Sequence, residues 1–261
     1  MDLNTLHKIA AAGKITREDI VVEIGAGFGV LTKNIARQAG QLIAVEIDLR
    51  LVAILRGELA EFDHVEIFPG DILKFDFSCI SSQYKSKLKV VGNVPYNISS
   101  PVVFHLLAHR SAIRGFTLML QKEVVERLVS APGCKSYGVP SVLLQMYADL
   151  KKLFDVSPGC FYPAPKVSSS VIQGEFLDKP RFPLEDETLF NRLVRASFAQ
   201  RRKMLANNLK QAVFLKELTE DDIKSVLKQA GIDGKRRGET LSVEEFGILS
   251  NLLKNQLTNR R

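Results

Sequence analysis

The sequence predicts an α/β fold: a largely parallel sheet with helices on both faces, followed by a small C-terminal all-helical domain. Three observations carry that expectation. The first two-thirds of the chain alternates short apolar runs with segments of helical spacing. A glycine-rich turn joins the first apolar run to the helix after it. Beyond residue 178 the pattern turns helical throughout, which predicts one domain over 1–178 and a second over 179–261.

The elements follow in order. The opening "MDLNTLHKIAAAG" has the spacing of an amphipathic helix entered partway along, with an acid at position 2 and no signal-peptide pattern. "DIVVEIG" (19–25) reads as a buried strand. "GVLTKNIARQAG" (29–40) places Leu31, Ile35 and Ala39 on one helical face and closes on Gly40. "QLIAVEID" (41–48) is the next strand and "LRLVAILRGELA" (49–60) the next helix. "VEIF" (65–68) ends in Pro69-Gly70-Asp71. "KLKVVGN" (87–93) precedes a helix through "PVVFHLLAH", and "GFTLMLQ" (115–121) precedes the helix "KEVVERLVS". This alternation implies parallel strands joined by helical crossovers. "DLKKLFDVS" (149–157) and "KVSSSVIQGEF" (166–176) lie too close together for such a crossover, so they are expected to pair antiparallel. A boundary falls near "LDKPRFPLED" (177–186). After it come four helical segments: "ETLFNRLVRASFAQ", "RKMLANNLKQAV", "EDDIKSVLKQAG" and "SVEEFGILSNLLKNQL".

Composition bounds the function. Hydrophobic residues make up 46% of 261, enough for a sizeable core. The formal charge is +7, and it is uneven: residues 178–261 carry 17 basic and 12 acidic side chains. That excess suits a polyanionic partner, though an ordinary basic surface has the same signature. Three widely spaced cysteines, Cys79, Cys134 and Cys160, without a C-x-x-C pair suggest reduced thiols in a cytoplasmic protein. No apolar run approaches the roughly 18 residues of a membrane span. His105 and His109 are four apart, but Leu106 stands where the metal motif H-E-x-x-H needs glutamate, so no metal site is expected.

Chemistry concentrates at strand ends. In "EIGAGFG" (23–29), Gly25 and Gly27 allow a tight turn and close approach of a ligand, although such turns also serve plain strand–helix packing. A dinucleotide fingerprint needs glycine at position 30, where the chain has Val30, so a ligand without a pyrophosphate fits better and a nicotinamide dehydrogenase is disfavoured. Glu46, at the end of the second strand, can accept from both hydroxyls of a ribose. Asp71, after the third, can accept from an adenine amino group or simply cap its turn. Asn93 ends the fourth. In an open parallel sheet these ends share one crevice, which points to a nucleoside-bearing cofactor.

"GNVPYNISS" (92–100) carries the reactive pattern. The Asn93 side chain and the Val94 carbonyl can accept both N–H bonds of an exocyclic adenine amine. Held out of the ring plane, the nitrogen recovers its lone pair and can attack an electrophile such as a sulfonium methyl group. Pro95 stiffens the turn and removes a competing donor. Tyr96 offers a flat face to a base that has left its stack, and Phe161 is a candidate for the opposite face, with packing between the two late strands as its other role. In the helical region, "QRRK" (200–203) and "KRR" (235–237) make Arg201, Arg202, Lys203, Arg236 and Arg237 candidate phosphate contacts.

At "EIGAGFG", "VEID", "PGD" and "GNVPYNISSP" the chain resembles the KsgA-type ribosomal RNA adenine dimethyltransferases, relatives of the Erm methyltransferases. The likeness continues through "LMLQKEVVERLVSAPGCKSYGVPSVLLQ", "FYPAPKVSSSVI", "SFAQRRKMLANNL" and "RRGETLSVEEF", covering nearly the whole chain. It implies a Rossmann-like class I methyltransferase sheet, S-adenosylmethionine as donor with S-adenosylhomocysteine as product, and RNA as acceptor. It further implies dimethylation at N6 of two adjacent adenosines in the 3′-terminal stem-loop of small-subunit ribosomal RNA, on the immature small ribosomal subunit, by a monomer. By motif, Gly25, Glu46, Asp71 and Asn93 are implied to contact the cofactor, Asn93 through Tyr96 to form the methyl-acceptor motif, and Phe161 to lie against the target base. The alternatives are an Erm-type enzyme acting on large-subunit RNA, disfavoured by "SFAQRRK" and "RRGETLSVEEF", and a non-catalytic assembly factor of the same fold, disfavoured by intact Asn93, Pro95 and Tyr96. The family pattern starts with a basic arm and a "QNFL"-like motif of about 20 residues that precede this starting point, so weakened cofactor binding and activity are expected. Methyl transfer as fast as that of a chain with the arm restored would refute that expectation.

Overall fold

The computed structural model describes residues 3–161 and 165–259. The chain divides into two compact units: Met1–Val125 with Asp149–Phe176, and Glu126–Ala148 with Leu177–Arg261.

The first unit is built on a seven-stranded sheet: β1 (Ile20–Ile24), β2 (Gln41–Glu46), β3 (Val65–Pro69), β4 (Leu88–Asn93), β5 (Ile113–Gln121), β6 (Ala148–Val156) and β7 (Ser169–Phe176). Their spatial order is β3-β2-β1-β4-β5-β7-β6. The pairs β1–β2, β2–β3, β1–β4 and β4–β5 are parallel, and β5–β7 is antiparallel. Helices α1 (Leu3–Ala12), α2 (Val30–Ala36), α3 (Leu49–Glu58), α4 (Phe77–Tyr84) and α5 (Ser99–Ala108) accompany it, and α6 (Lys122–Leu128) follows β5 directly. β1 and β2 are mostly apolar, apart from Glu23 in β1 and Gln41 and Glu46 at the ends of β2, because both faces of a parallel sheet are covered; all five residues of β1 are buried. At the edge, β6 carries Lys151 and Lys152, charges that discourage further strand pairing.

The topology places the crevice. From β1 the chain steps outward to β2 and β3, then returns to the other side of β1 as β4. At such a reversal the two loops leaving the carboxyl ends of β1 and β4 diverge and open a cleft. Gly92 is needed for the close fit there: a side-chain carbon at that position would come within 2.8 Å of Ile24 Cβ and O.

Two helices lack the expected sequence pattern. α4 is serine-rich and has a single buried residue, Phe77; it starts because the Asp76 carboxylate accepts from the Ser78 and Cys79 N–H groups. α7 (Val139–Gln145) lies in the second unit and is only seven residues long. Pro140 presets its first turn, and the Ser141 hydroxyl bridges the Gly138 N–H to the Arg127 carbonyl.

In the second unit, α8 (Glu187–Ser197), α9 (Leu205–Lys210), α10 (Glu220–Gln229) and α11 (Val243–Thr258) enclose Phe190, Leu193, Leu209, Val226, Phe246 and Leu253. Thr219 with Asp222 and Ser242 with Glu245 form reciprocal caps on α10 and α11. Gly238 permits the "RRGET" segment to approach the end of α8, since a side-chain carbon there would sit 2.6 Å from Ser197 O.

Candidate active site

The site begins with backbone geometry. Gly25, Gly27 and Gly29 have φ of 71°, 59° and 77°, a left-handed region that disfavours an L side chain by about 1–2 kcal/mol. Their surroundings differ. A side-chain carbon on Gly29 would meet Leu55 Cδ2 at 2.9 Å, so that glycine serves helix packing. One on Gly27 would meet only Gly25 O, at 4.0 Å, so the backbone there lies open to a ligand.

Glu46 is buried at the end of β2, and both its oxygens are fixed. Oε2 accepts from Gly27 N and Oε1 from Asp48 N, each at 2.9 Å. Each oxygen keeps a second lone pair for a ligand hydroxyl. The Glu46 carbonyl accepts from Gly70 N at 2.9 Å, drawing the loop after β3 toward the same place. In that loop Asp71 Oδ1 caps a turn by accepting from Leu73 N at 2.9 Å. Its Oδ2 makes no hydrogen bond among the described residues.

Asn93 lies opposite Met119 in β5, and Val94 N donates to Met119 O at 3.2 Å. A side-chain carbon on Gly25 would stand 3.7 Å from Asn93 O, so the end of β4 borders the glycine turn directly. The Asn93 side chain makes no hydrogen bond among the described residues and is half-buried. Pro95 is exposed, and its carbonyl accepts from Ile98 N and Ser99 Oγ. Tyr96 opens a short 3₁₀ turn, half-buried, with its hydroxyl 2.7 Å from Ser169 Oγ.

Phe161 follows a 3₁₀ turn between β6 and β7. It is half-buried and packs on the core cluster that includes Val91, Met119, Val156 and Val171. Tyr162, the next residue along the chain, lies outside the described residues.

Within the glycine motif sits an acid that sequence reasoning did not single out. Glu23 is 1% exposed, and its Oε2 lacks a hydrogen-bond partner among the described residues. Burial pushes its carboxyl up to about 8; the Thr32 hydroxyl nearby opposes the rise and the Glu46 carboxylate adds to it. Also unanticipated is an apolar rim. Phe28, Ile47 and Leu49 are each at least 68% exposed, on the loops leaving β1 and β2 beside Gly27 and Glu46. Single apolar residues inside polar loops give no periodic signal, which is why they escaped notice.

In the helical unit the two basic stretches come together. Leu205 N donates to Arg236 O at 2.7 Å and Ala206 N to Gly234 O at 3.2 Å. The five arginines and lysines are not equivalent. Arg236 forms a two-pronged pair with Glu245 and donates to the Thr240 carbonyl, and Arg201 donates to Glu239 and to the Lys135 carbonyl. Arg202, Lys203 and Arg237 are exposed, and their side chains make no such bond among the described residues. No group of three or more metal-ligating side chains occurs among the described residues, and none of their helices is long and apolar enough to cross a membrane.

Known proteins resemble this chain in sequence and in fold. The sequence model described as ribosomal RNA adenine dimethylase matches residues 1–248. Ribosomal RNA small subunit methyltransferase A of Syntrophus aciditrophicus is 43% identical over 253 residues, 97% of this chain and 90% of that protein. The protein of the same name from Geobacter sulfurreducens is 47% identical over 250 residues, covering 95% and 90%. Among solved structures, a dimethyladenosine transferase from Plasmodium falciparum superposes with a TM-score of 0.80 at 25% identity, over 98% of this chain and 96% of that one. The 23S rRNA methyltransferase ErmE shares the fold, with a TM-score of 0.72 at 23% identity over 97% and 98%. On sequence and on structure, this chain belongs to the ribosomal RNA adenine dimethylase family.

Proposed function

We propose that this chain uses S-adenosylmethionine to dimethylate N6 of two adjacent adenosines in the 3′-terminal stem-loop of small-subunit ribosomal RNA, acting as a monomer on the immature small subunit in the cytoplasm. One observation carries the reading: an Asn93 amide that makes no hydrogen bond among the described residues stands at the end of β4, beside the open glycine turn and the anchored Glu46 carboxylate. The relatives' name, ribosomal RNA small subunit methyltransferase A, supports the small subunit over the large one.

The donor set fits a nucleoside with a short charged tail. Gly25 and Gly27 offer bare backbone, Glu46 accepts from ribose hydroxyls, Ile47 supplies an apolar surface for a base, and Asp71 Oδ2 accepts from an amino group. The cofactor, when bound, supplies a methyl group on a positively charged sulfur.

The remaining chemistry belongs to the protein. Asn93 Oδ1 and the Val94 carbonyl accept the two N–H bonds of the target amine and turn its lone pair out of conjugation. A nitrogen held in this way would form its new bond to the methyl carbon that the cofactor would supply, with the carbon–sulfur electron pair left on sulfur. The N–H proton, acidic only after that bond forms, passes to solvent, so positioning and electrostatics carry the rate. Tyr96 and Phe161 hold the base by stacking, worth about 1–3 kcal/mol per base. In the helical unit Arg202, Lys203 and Arg237 meet RNA phosphates.

The test is transfer of labelled methyl groups to purified small and large subunits from a strain lacking the modification, followed by mass mapping. Label confined to dimethyladenosine near the small-subunit 3′ end supports the proposal. Label on large-subunit RNA favours an Erm-type activity, and no label on either favours an assembly factor.

A further inference from the structure

The hydroxyl that meets the Tyr96 hydroxyl comes from β7, 73 positions further along the chain. We propose that Ser169 is a positioning residue for methyl transfer: through one hydrogen bond it fixes where the Tyr96 ring points. This rests on the reading of Tyr96 as a face for the acceptor base.

Ser169 is fully buried at the start of β7, with Oγ 2.7 Å from the Tyr96 hydroxyl. Tyr96 itself sits on a three-residue turn and makes no ring–ring contact among the described residues. Backbone at one end and this hydrogen bond at the other are therefore the two points that orient the ring. A ring pinned at one end alone would swing about its Cα–Cβ bond and carry its hydroxyl away from this place.

The anchor is itself braced. Ser169 lies opposite Gln121 of β5, and the neighbouring Ser168 carbonyl accepts from Lys122 N at 3.0 Å. On the other side, Ser170 Oγ donates to Asp155 Oδ1. Asp155 is gripped by Lys122 Nζ at 3.0 Å and by Lys152 Nζ at 2.7 Å. Side-chain hydrogen bonds from Lys152, Ser170 and Lys122 hold the Asp155 carboxyl well below the usual carboxylate range. The position of Ser169 Oγ is thus set by β5, β6 and β7 together. A base laid on the Tyr96 ring inherits that precision, and small errors in placing a reacting nitrogen are costly in rate.

The experiment compares Ser169→Ala, Tyr96→Phe, their double variant and Tyr96→Ala. The readouts are single-turnover methyl transfer, cofactor binding and thermal stability. Ser169→Ala and Tyr96→Phe delete the same bond from opposite ends, so a folding defect in one leaves the other informative. Each is expected to slow transfer about twofold to tenfold with cofactor affinity unchanged, as the loss of one hydrogen bond implies. The double variant is expected to be no slower than the slower single variant. Unaltered rates in Ser169→Ala and Tyr96→Phe beside a slow Tyr96→Ala overturn the positioning role while leaving the stacking reading intact. Effects that multiply in the double variant also overturn it. Wild-type speed in Tyr96→Ala overturns the stacking reading and the positioning role with it.

Discussion

Replacing Glu23 with glutamine should flatten the pH dependence of stability between about pH 5 and pH 8. The carboxyl is 1% exposed and lacks a partner for one oxygen among the described residues. Its burial raises it from 4.5 to about 8, with Thr32 opposing and Glu46 reinforcing. In the unfolded chain it titrates near its ordinary value. Between those values the folded state holds a proton that the unfolded state has lost, so stability falls as pH rises. Each pH step in that interval costs about 1.4 kcal/mol, so at pH 7 the wild-type chain has lost about 3 kcal/mol relative to pH 4.5 from this group. Glutamine has nearly the same shape and no proton to lose. Urea denaturation at pH 5.5, 6.5 and 7.5 measures the difference directly. The wild type should lose stability steadily across the series relative to Glu23→Gln, and the variant should be the more stable of the two at pH 7.5. Parallel curves for the two proteins would refute the burial argument for Glu23.

Three further outcomes follow from the same coordinates. Gly27→Ala should fold with a loss of about 1–2 kcal/mol from its left-handed backbone, while calorimetry shows cofactor binding weakened at least tenfold because the methyl group occupies the open turn. Arg236→Ala should cost about 2 kcal/mol of stability through its lost pair with Glu245, whereas neutralising Arg202, Lys203 and Arg237 together should leave stability alone and lower the slope of log RNA affinity against log salt by about 2. Thermal denaturation and binding titrations at several salt concentrations separate the two cases. At low pH, the Asp19–Lys89 contact should matter: burial raises the Asp19 carboxyl, but bonds from Lys89 and Thr16 outweigh it and leave it lowered from 3.8. Stability from that pair is present above pH 4 and lost as pH falls through the lowered value, so Lys89→Met should lose its penalty in acid denaturation below pH 4.

The fold was legible where burial writes a pattern. "IVVEI" and "QLIAVE" can only be strands covered on both faces, and the glycine turn between β1 and α2 needs three left-handed residues that the sequence supplies as Gly25, Gly27 and Gly29. The crevice was legible for the same reason, since strand ends in a parallel sheet share one side. Short elements were hidden. α4 buries one residue and depends on Asp76 as a cap, and α7 depends on Pro140 and a serine bridge, so neither shows a helical stripe. Side-chain partnerships were hidden too. Nothing in "QRRK" or "KRR" separates Arg201 and Arg236, which close internal pairs, from Arg202, Lys203 and Arg237, because Glu239 and Glu245 reach them only through the packing of α8, α9 and α11. The tie between Tyr96 and Ser169 spans 73 positions and rests on the register of β7 beside β5.

The proposed chemistry is tested most directly by single-turnover methyl transfer from S-adenosylmethionine to small-subunit RNA by Asn93→Ala, with cofactor binding measured alongside. Removing one preorganised polar partner of a reacting group typically costs about 100-fold or more in rate. A fall of that size with cofactor affinity within about tenfold of wild type is the predicted result. Transfer at the wild-type rate would mean that the amide at the end of β4 does not hold the acceptor nitrogen.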